Sequence, residues 1–208
     1  MCTQFCIEPS SDELDEILAE VQRSLLLKRF LSAGDKLLTS GTIRPTNVVP
    51  VIAPGKDGGR SVFPMRWGYR TEIRDKKKLI INARSESAAE KPLFKEDWKK
   101  HRCIIPASWY YEWEHLTGNS GQKIIGQKYM IQPRGDSVAW IAGLYRIEDG
   151  LPCFTVLTCE AAWGIREIHD RMPLLLPGDR IDEWIRPDGH PEEVLKYALK
   201  DMITDRAV

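Results

Sequence analysis

The chain has 208 residues, 42% of them hydrophobic, and its 30 basic side chains balance its 30 acidic ones. This length suits one sizeable core, so we expect a single domain over residues 1–208, and the zero net charge argues against a bulk polyanion binder. The chain has no apolar run long enough to span a bilayer and no basic and apolar signal-peptide regions, so we expect neither membrane insertion nor export.

The first chemically distinctive feature is a cysteine in second place. Removal of Met1 would expose a 1,2-aminothiol at Cys2, with an α-amine of pKa about 7.7–8.0 beside a thiol of pKa about 8.5. Such a pair can condense with an aldehyde, because the amine forms an imine that the sulfur closes into a thiazolidine ring. Taken alone, a cysteine at this position is more often an ordinary residue beside the start of the chain, so other stretches must decide its role.

The cysteines as a group indicate the compartment. Five is an odd number, and the spacing fits neither a disulfide framework nor a zinc site. We therefore expect a reducing environment, the cytoplasm, and no cofactor. The five are Cys2, Cys6, Cys103, Cys153 and Cys159.

The first third of the chain predicts a helix followed by a hairpin. Two serines precede apolar residues at helical spacing, which predicts a capped amphipathic helix over about 12–28. A proline-containing strand at 48–52 and a returning strand at 61–67 flank a glycine-rich turn at 54–59.

The middle of the chain is basic, with twelve Lys/Arg against six Asp/Glu over residues 66–102. Arg70, Arg74 and the lysines at 76–78 are predicted to lie in an exposed loop, where they would hold phosphates or simply form a solvated surface. An apolar strand at 79–81 then delivers Asn82 and the residues after it to a strand end, a rigid place for reactive side chains.

A short helix over 86–91, capped by Ser85, would account for Ser85 and Glu86 but not for Asn82 or Arg84. Those two residues therefore remain the functional candidates of this stretch.

The second half reads as a series of strands. A buried strand is predicted at 102–106, and in the aromatic stretch at 109–113 alternation points Glu112 to the opposite face from Tyr111 and Trp113. If Glu112 is buried, its pKa rises and suits a general acid or base; the alternative is an exposed residue on an edge strand.

Three more strands, at about 126–132, 137–145 and 151–158, complete the pattern. We expect an α+β fold with a largely antiparallel, curved, barrel-like sheet and flanking helices.

The last quarter predicts a short helix at 160–166 and a final amphipathic helix from Pro191 to about 203. Between them, His169 precedes Asp170. The chain has only four histidines and none is spaced as a partner for His169, so we expect no metal site.

Four separated motifs together resemble the SOS response-associated peptidase (SRAP) family, and the resemblance spans essentially the whole chain. Order and spacing both match. The motifs are Cys2, the stretch 82–86, the stretch 102–113, and the stretch 168–173 that contains His-Asp-Arg-Met-Pro.

The resemblance implies a thiazolidine cross-link between a mature N-terminal Cys2 and an abasic site in single-stranded DNA. Asn82 would hold the N-terminus and the reacting oxygen, Glu112 would shuttle protons, and His169 would protonate the opened sugar. Arg84 would clamp a phosphate. We further expect DNA contacts from Arg70, Arg74, Trp67 and Arg44, and a monomeric protein.

Some positions depart from the family pattern. Thr3 and Gln4 replace a usual Gly-Arg, which removes a cation expected near the DNA. Residues 69–74 lack the paired tryptophans that many relatives use to stack on bases, and Thr42 stands where many carry Asn.

Two other functions remain open from the residues. In an N-terminal-nucleophile hydrolase or peptidase, Cys2 would attack an amide with its own amine as base and Asn82 as oxyanion donor, and removal of Met1 would be autocatalytic. In a simple single-stranded DNA-binding module, neither residue would perform chemistry.

Overall fold

The computed structural model describes residues 2–9, 11–73, 76–117 and 120–207. Its strands are β1 (Gln4–Ile7), β2 (Gly41–Ile43), β3 (Val48–Pro54), β4 (Arg60–Trp67), β5 (Tyr69–Ile73), β6 (Lys76–Ile80), β7 (Asn82–Arg84), β8 (Arg102–Ala107), β9 (Trp109–Thr117), β10 (Lys123–Pro133), β11 (Ala139–Glu148), β12 (Leu151–Glu160), β13 (Arg171–Pro173), β14 (Leu175–Leu176) and β15 (Met202–Arg206). Its α-helices are α1 (Asp12–Gln22), α2 (Leu25–Ser32), α3 (Ser85–Ala88), α4 (Lys95–Lys100), α5 (Ile181–Ile185) and α6 (Pro191–Val194).

Five strands close into a barrel. Around the ring, β12 pairs with β4, β4 with β3, β3 with β8, β8 with β11, and β11 again with β12. Only the β12–β4 pairing in this ring is parallel. Three short strands extend the ring: β7 and β13 along β12, and β14 along β11. The predicted α+β class, with a mainly antiparallel barrel and flanking helices, is confirmed.

A second sheet of five strands covers one side of the barrel, in the order β15-β10-β9-β1-β2. Its inner face carries Phe5, Tyr110 and Ile131, all fully buried. Phe5 contacts the indole of Trp67 with ring centroids 5.1 Å apart, so the two sheets share one core.

Ser108 is the point where the chain passes from the barrel to the second sheet, between β8 and β9. Its backbone N–H donates to the Cys6 carbonyl at 2.8 Å, and its hydroxyl donates to the Glu8 carbonyl at 3.1 Å. The same hydroxyl oxygen accepts from the Glu8 N–H at 2.8 Å. These three hydrogen bonds tie the corner to β1 and fix how the two sheets meet.

The first predicted helix is broken in two. Ser11 caps α1 by accepting from the Leu14 N–H at 3.3 Å, as expected of a serine there. The prediction of one helix over 12–28 is wrong, because Ser24 adopts an extended conformation with ψ of 128° and α2 restarts after it. Because of this break, α1 and α2 both pack against β4. One straight helix over 12–28 would extend beyond that strand.

Other local predictions also need correction. In the predicted basic loop, residues 70–73 and 76–78 belong to the antiparallel strands β5 and β6. Ser85 is the first residue of α3 instead of its cap. Residues 161–170 form turns instead of a helix, and the tail after Tyr197 ends in β15 because it pairs with β10. In the tail, pairing with a distant strand outweighs local helix propensity.

The predicted strands in the second half are confirmed. The strand predicted at 137–145 is shifted to Ala139–Glu148, and the others extend slightly beyond their predicted bounds. The proline in β3 is accommodated because Pro50 lies directly opposite Pro64 of β4. None of the helices in the described residues is long and apolar enough to cross a membrane.

Arg102 is the most deeply buried cation among the described residues, with no exposed surface. Its guanidinium donates to the carbonyls of Trp98 at 2.6 Å, Lys99 at 2.7 Å, Trp184 at 2.7 Å and also Arg186. These carbonyls lie at the C-terminal ends of α4 and α5, where helical carbonyls lack intrahelical partners. Arg102 therefore joins two helix ends to β8.

Candidate active site

A cleft of about 710 Å³ opens where the second sheet meets the barrel. One wall comes from β9 and the other from the turns at 161–170 and the start of β13. The side chains that bear on its chemistry are Thr3, Arg84, Glu112, His115, Arg166 and His169.

Cys2 lies beside this cleft and is fully buried. The Asn82 side-chain nitrogen donates to the Cys2 carbonyl at 2.8 Å, and the Cys2 thiol lies 3.6 Å from the Gln4 carbonyl. Burial raises the pKa of the Cys2 thiol, and the nearby Glu112 carboxylate raises it further. The thiol is therefore protonated at neutral pH and needs a base to become a nucleophile.

Asn82 is positioned by the barrel. It opens β7, which runs parallel to β12 with Asn82 beside Val156 and Ala83 beside Leu157. Among the described residues, the Asn82 side-chain oxygen is buried without a hydrogen-bond partner. A buried acceptor next to residue 2 is the kind of group that a reacting molecule can satisfy.

Glu112 lies on the inner side of β9 and is only 2% exposed. Burial raises the pKa of its carboxyl group, which is the buried one of the two possibilities that the sequence left open. A carboxyl group with a raised pKa is a stronger base when ionised, and keeps its proton to higher pH, than an exposed glutamate. The alternative of an exposed edge residue is wrong.

His169 is 6% exposed, and burial lowers its pKa to about 4. Two groups approach its Nδ1: the Arg171 backbone N–H donates to it at 2.9 Å, and an Asp170 carboxylate oxygen lies at 2.8 Å. The backbone donor is fixed, whereas the Asp170 side chain is exposed and can turn into solvent. A neutral ring whose Nδ1 accepts carries its proton on Nε2, which makes Nε2 a donor.

His115 is a site residue that sequence reasoning missed. Its ring centroid lies 4.2 Å from that of His169, although strict alternation would point residue 115 away from Glu112. The β9–β10 pairing slips between Ile125 and Lys128, where Gly126 and Gln127 together oppose Glu114. Such a bulge twists the strands, and Gly126 within a predicted strand was the available signal.

Two arginines near the cleft differ in their contacts. Arg84 is exposed and lines the cleft, as expected for a phosphate clamp. Arg171 is buried and binds the two oxygens of Glu86 at 2.7 and 2.9 Å, which holds the pKa of Glu86 below its usual range. Arg171 also donates to the Thr158 carbonyl at 2.7 Å, so it fastens β13 and α3 to β12.

Several other predicted contact residues lie away from the cleft. Trp67 is fully buried, and its indole N–H donates to the Ile81 carbonyl at 2.9 Å. The prediction of Trp67 as a stacking platform is therefore wrong, because no face of the ring is open to a base. Arg74 lies outside the described residues, as does Met1.

Arg70 and Arg44 are exposed but do not line the cleft. Arg70 pairs with Asp149 at 3.0 Å on the β5–β6 hairpin. Arg44 follows β2 and lies near Lys128 of β10. Burial lowers the pKa of Lys128, and the positive charge of Arg44 lowers it further. The predicted roles of Arg70 and Arg44 stay predictions.

The arrangement places an anchored residue 2, a buried carboxyl group of raised pKa and a buried imidazole at one solvent-accessible cleft. Glu112 and His169 come from opposite walls, and their polar atoms approach within 4.8 Å, so both can contact the same small bound group. Arg84 and Arg166 add positive charge at the rim. This combination suits nucleophilic chemistry with acid and base assistance on an anionic substrate.

Comparisons with a protein-family profile and with individual proteins point to the same family. The profile of the family described as SOS response associated peptidase (SRAP) matches residues 1–207. The chain is 33% identical over 178 residues to the abasic site processing protein YoaM of Bacillus subtilis (strain 168), covering 79% of this chain and 76% of YoaM. It is 27% identical over 207 residues to the abasic site processing protein YedK of Escherichia coli (strain K12), covering 98% of this chain and 87% of YedK.

A solved structure shares the fold. The crystal structure of a protein from Bacteroides thetaiotaomicron matches with a TM-score of 0.73 at 22% identity, over 100% of this chain and 92% of that one. At this level of identity, the similarity concerns the fold alone.

Proposed function

The chain belongs to the SOS response associated peptidase (SRAP) family, and we propose that it processes abasic sites in single-stranded DNA by forming a covalent cross-link through Cys2. The observation that carries the proposal is the 2.8 Å hydrogen bond from Asn82 to the Cys2 carbonyl, because it anchors residue 2 at the edge of the cleft that contains Glu112 and His169. Relatives named as abasic site processing proteins supply the substrate class.

The proposed reaction needs no oxidant and no cofactor. After removal of Met1, the Cys2 amine adds to the aldehyde of the ring-opened abasic sugar and forms an imine with loss of one water. The Cys2 sulfur then adds to the imine carbon, its proton moves to the nitrogen, and a thiazolidine ring closes. The net change is therefore the release of one water molecule.

Glu112 would move the protons in these steps. It is close enough to Cys2 for its charge to raise the pKa of the thiol, and its own pKa is raised by burial. A carboxyl group of raised pKa can give a proton to the departing water, and the carboxylate formed can then take the thiol proton and pass it to the nitrogen. Burial therefore has two effects. It keeps the Cys2 thiol protonated, so the thiol requires a base, and it raises the pKa of Glu112, which makes the Glu112 carboxylate a stronger base.

His169 would open the sugar. With Nδ1 accepting from the Arg171 N–H, the proton on Nε2 is available to the ring oxygen of a closed abasic sugar. A neutral imidazole is a weak acid, so its proton would transfer only as the carbon–oxygen bond breaks and negative charge develops on that oxygen. At the same time the C1 hydroxyl of the sugar would lose its proton to the Glu112 carboxylate and become the aldehyde, and the imidazole would regain a proton from solvent.

The cations at the rim would hold the DNA backbone. Arg84 and Arg166 line the cleft, and contacts of this kind give affinity without sequence specificity. Trp67 is buried, so base stacking on that indole is not part of the proposal. Arg70 and Arg44 remain candidates for more distant phosphates.

Removal of Met1 is the remaining step, and we propose that Cys2 itself assists it. An N-terminal nucleophile that cleaves the preceding peptide bond would give the chain a peptidase activity limited to its own maturation. In this proposal, peptidase activity serves only the maturation of the chain and is not a competing function.

The deciding experiment is the intact mass of the purified protein before and after incubation with single-stranded DNA containing one abasic site. We expect a mass lacking one methionine, then a heat-stable adduct whose mass equals protein plus DNA minus one water. Cys2→Ala should bind the DNA without forming the adduct. Undiminished adduct formation by Cys2→Ala would refute the proposal, and a peptide product without an adduct would favour a general peptidase.

A further inference from the structure

We propose that Glu112, His115 and His169 form a binding site for a divalent zinc ion at the bottom of the cleft. Each residue offers one ligand atom, and the three atoms all lie within 4.8 Å of one another. Glu112 and His115 come from β9, whereas His169 comes from the opposite wall. The site therefore exists only because the fold brings the two walls together.

The donor atoms match zinc. Two imidazole nitrogens and one carboxylate oxygen are a common protein ligand set for Zn²⁺ when the fourth position is left to water. The cleft is open to solvent beside these residues, so it provides an entry path and room for that water. A buried carboxylate and a buried imidazole supply ligands that are already partly desolvated.

The three ligand atoms must move closer to hold the ion. Ligands about 2.0–2.1 Å from a tetrahedral zinc lie about 3.4 Å from one another, so the widest separation must close by at most about 1.4 Å. Glu112 and His169 are buried, whereas His115 is exposed and can rotate inward. His115 is accordingly the ligand that completes the site.

Asp170 is placed to support the zinc-bound form. A histidine that binds zinc through Nε2 carries its proton on Nδ1 and usually donates it to a carboxylate or carbonyl. The Asp170 carboxylate oxygen lies 2.8 Å from the His169 Nδ1. The two contacts at Nδ1 thus correspond to two tautomers, one with Nε2 as a proton donor and one with Nε2 as a metal ligand.

The consequence for activity rests on the proposed function. Zinc would occupy the carboxylate that moves protons and the imidazole that donates one, so a zinc-bound protein would not form the DNA adduct. The ion would act as a reversible inhibitor that a chelator removes. It would also link β9 to the opposite wall and raise the unfolding temperature, because a ligand that binds only the folded state stabilises it.

The direct test measures zinc affinity by competition with a chromogenic chelator, in reducing buffer and without DNA. We expect one zinc per chain for the wild type and for Cys2→Ala, and at least about tenfold weaker binding for His115→Ala. His190→Ala is the matched control, since His190 is an exposed histidine just before α6 and should bind like the wild type. Equal affinity in the wild type and His115→Ala would overturn the proposal, as would binding that Cys2→Ala abolishes.

A second measurement compares the adduct yield of each variant with and without zinc. The wild type and His190→Ala should lose most of their yield on adding zinc and regain it with EDTA, whereas His115→Ala should keep the same yield in both conditions. Stoichiometric zinc binding by a protein that forms no adduct at all would support the metal site and refute only the proposed function. Inhibition of His115→Ala at the same zinc concentration as the wild type would refute the assigned ligands.

Discussion

The Asn82 side-chain nitrogen lies 2.8 Å from the Cys2 carbonyl oxygen and donates a hydrogen bond to it. Eighty residues separate the two in sequence, so this bond depends on the β7–β12 pairing that holds Asn82 in place. It connects the barrel to the start of the chain and sets the position of the proposed nucleophile.

Replacing Asn82 should therefore slow adduct formation more than it affects the fold. Asn82→Ala removes one hydrogen bond worth about 0.5–1.5 kcal/mol, so we expect a roughly two- to tenfold slower reaction. Asn82→Asp should be slower still, because a carboxylate oxygen would face the Cys2 carbonyl. Single-turnover rates measure the effect, and unchanged rates at an unchanged unfolding temperature would remove Asn82 from the mechanism.

Glu112→Gln should separate activity from stability. Losing a general acid or base should slow adduct formation by about 10²–10⁴-fold. The folded-state pKa of Glu112 is raised, so the folded protein binds more protons than the unfolded chain just above the unfolded pKa of about 4.3. Glu112 therefore stabilises the folded state at pH values below the unfolded-chain pKa. This contribution is lost as the pH rises through the folded-state pKa of Glu112.

Glutamine keeps the size of the side chain without the buried charge. Relative to the wild type, Glu112→Gln should therefore gain unfolding temperature at pH 7–8 and show no gain near pH 4. Thermal unfolding at both pH values checks this. A variant with wild-type rates and no pH-dependent gain would mean that Glu112 is neither buried as a charge nor catalytic.

The contribution of His169 to stability should depend on pH in the opposite direction to that of Glu112. Its folded-state pKa of about 4 lies below the ordinary value, so the unfolded chain takes up the proton first and the wild type loses stability as the pH falls from about 6.5 to 4. His115 and Asp170 are ionisable side chains that face the same ring. His169→Gln should lack this loss, whereas His190→Gln, at an exposed site, should behave as the wild type.

The measurement is the unfolding temperature of the three proteins at pH 7 and pH 4.5. The same fall in the wild type and His169→Gln would contradict the assignment. In the reaction, His169→Gln should slow opening of the sugar beyond any effect on DNA binding, and an equal effect on both steps would indicate a purely structural role.

Arg84 should hold a phosphate at the rim of the cleft. Removing one phosphate contact flattens the log–log dependence of single-stranded DNA affinity on salt by about 0.7, so Arg84→Ala should show that change and weaker binding of all sequences. Arg134→Ala is the control, because Arg134 is equally exposed but pairs with Asp201 away from the cleft rim. Arg70→Ala tests the hairpin, and a flattened slope there would support its predicted contact.

Arg102 should tolerate no replacement, even by lysine. Lysine keeps the charge but lacks the planar fork that reaches four carbonyls at two helix ends, so buried acceptors would be left unsatisfied. We expect Arg102→Lys to cost at least about 3 kcal/mol of unfolding free energy in urea. A loss below about 1 kcal/mol would show that the carbonyls find other donors.

Most strands were predictable because their signals are local. Alternation and flanking turn residues gave the strands at 102–106 and 151–158 within a few residues. The helix break at Ser24 and the strand at the tail were not predictable, because α2 packs on β4 and β15 pairs with β10, and both contacts are distant in sequence.

The candidate site was only partly predictable. Glu112 could be proposed as a buried carboxyl group from its aromatic neighbours, but the roles of Asn82 and His169 came from the family resemblance. His115 was missed because strict alternation along β9 places residue 115 on the opposite face from Glu112. The bulge in β10 at Gly126 twists the two strands at this point. Trp67 was misassigned, since nothing local distinguishes an indole that fills a core from one that meets a base.

Ser108 gives the protein a joint between its two sheets. Glu112 belongs to one sheet and His169 to a segment of the other, so the distance between them depends on the angle at which the sheets meet. Three hydrogen bonds between Ser108 and the backbone of Cys6 and Glu8 hold that angle. A substitution at this joint would therefore disturb the reaction by misalignment alone, with every reacting group still present.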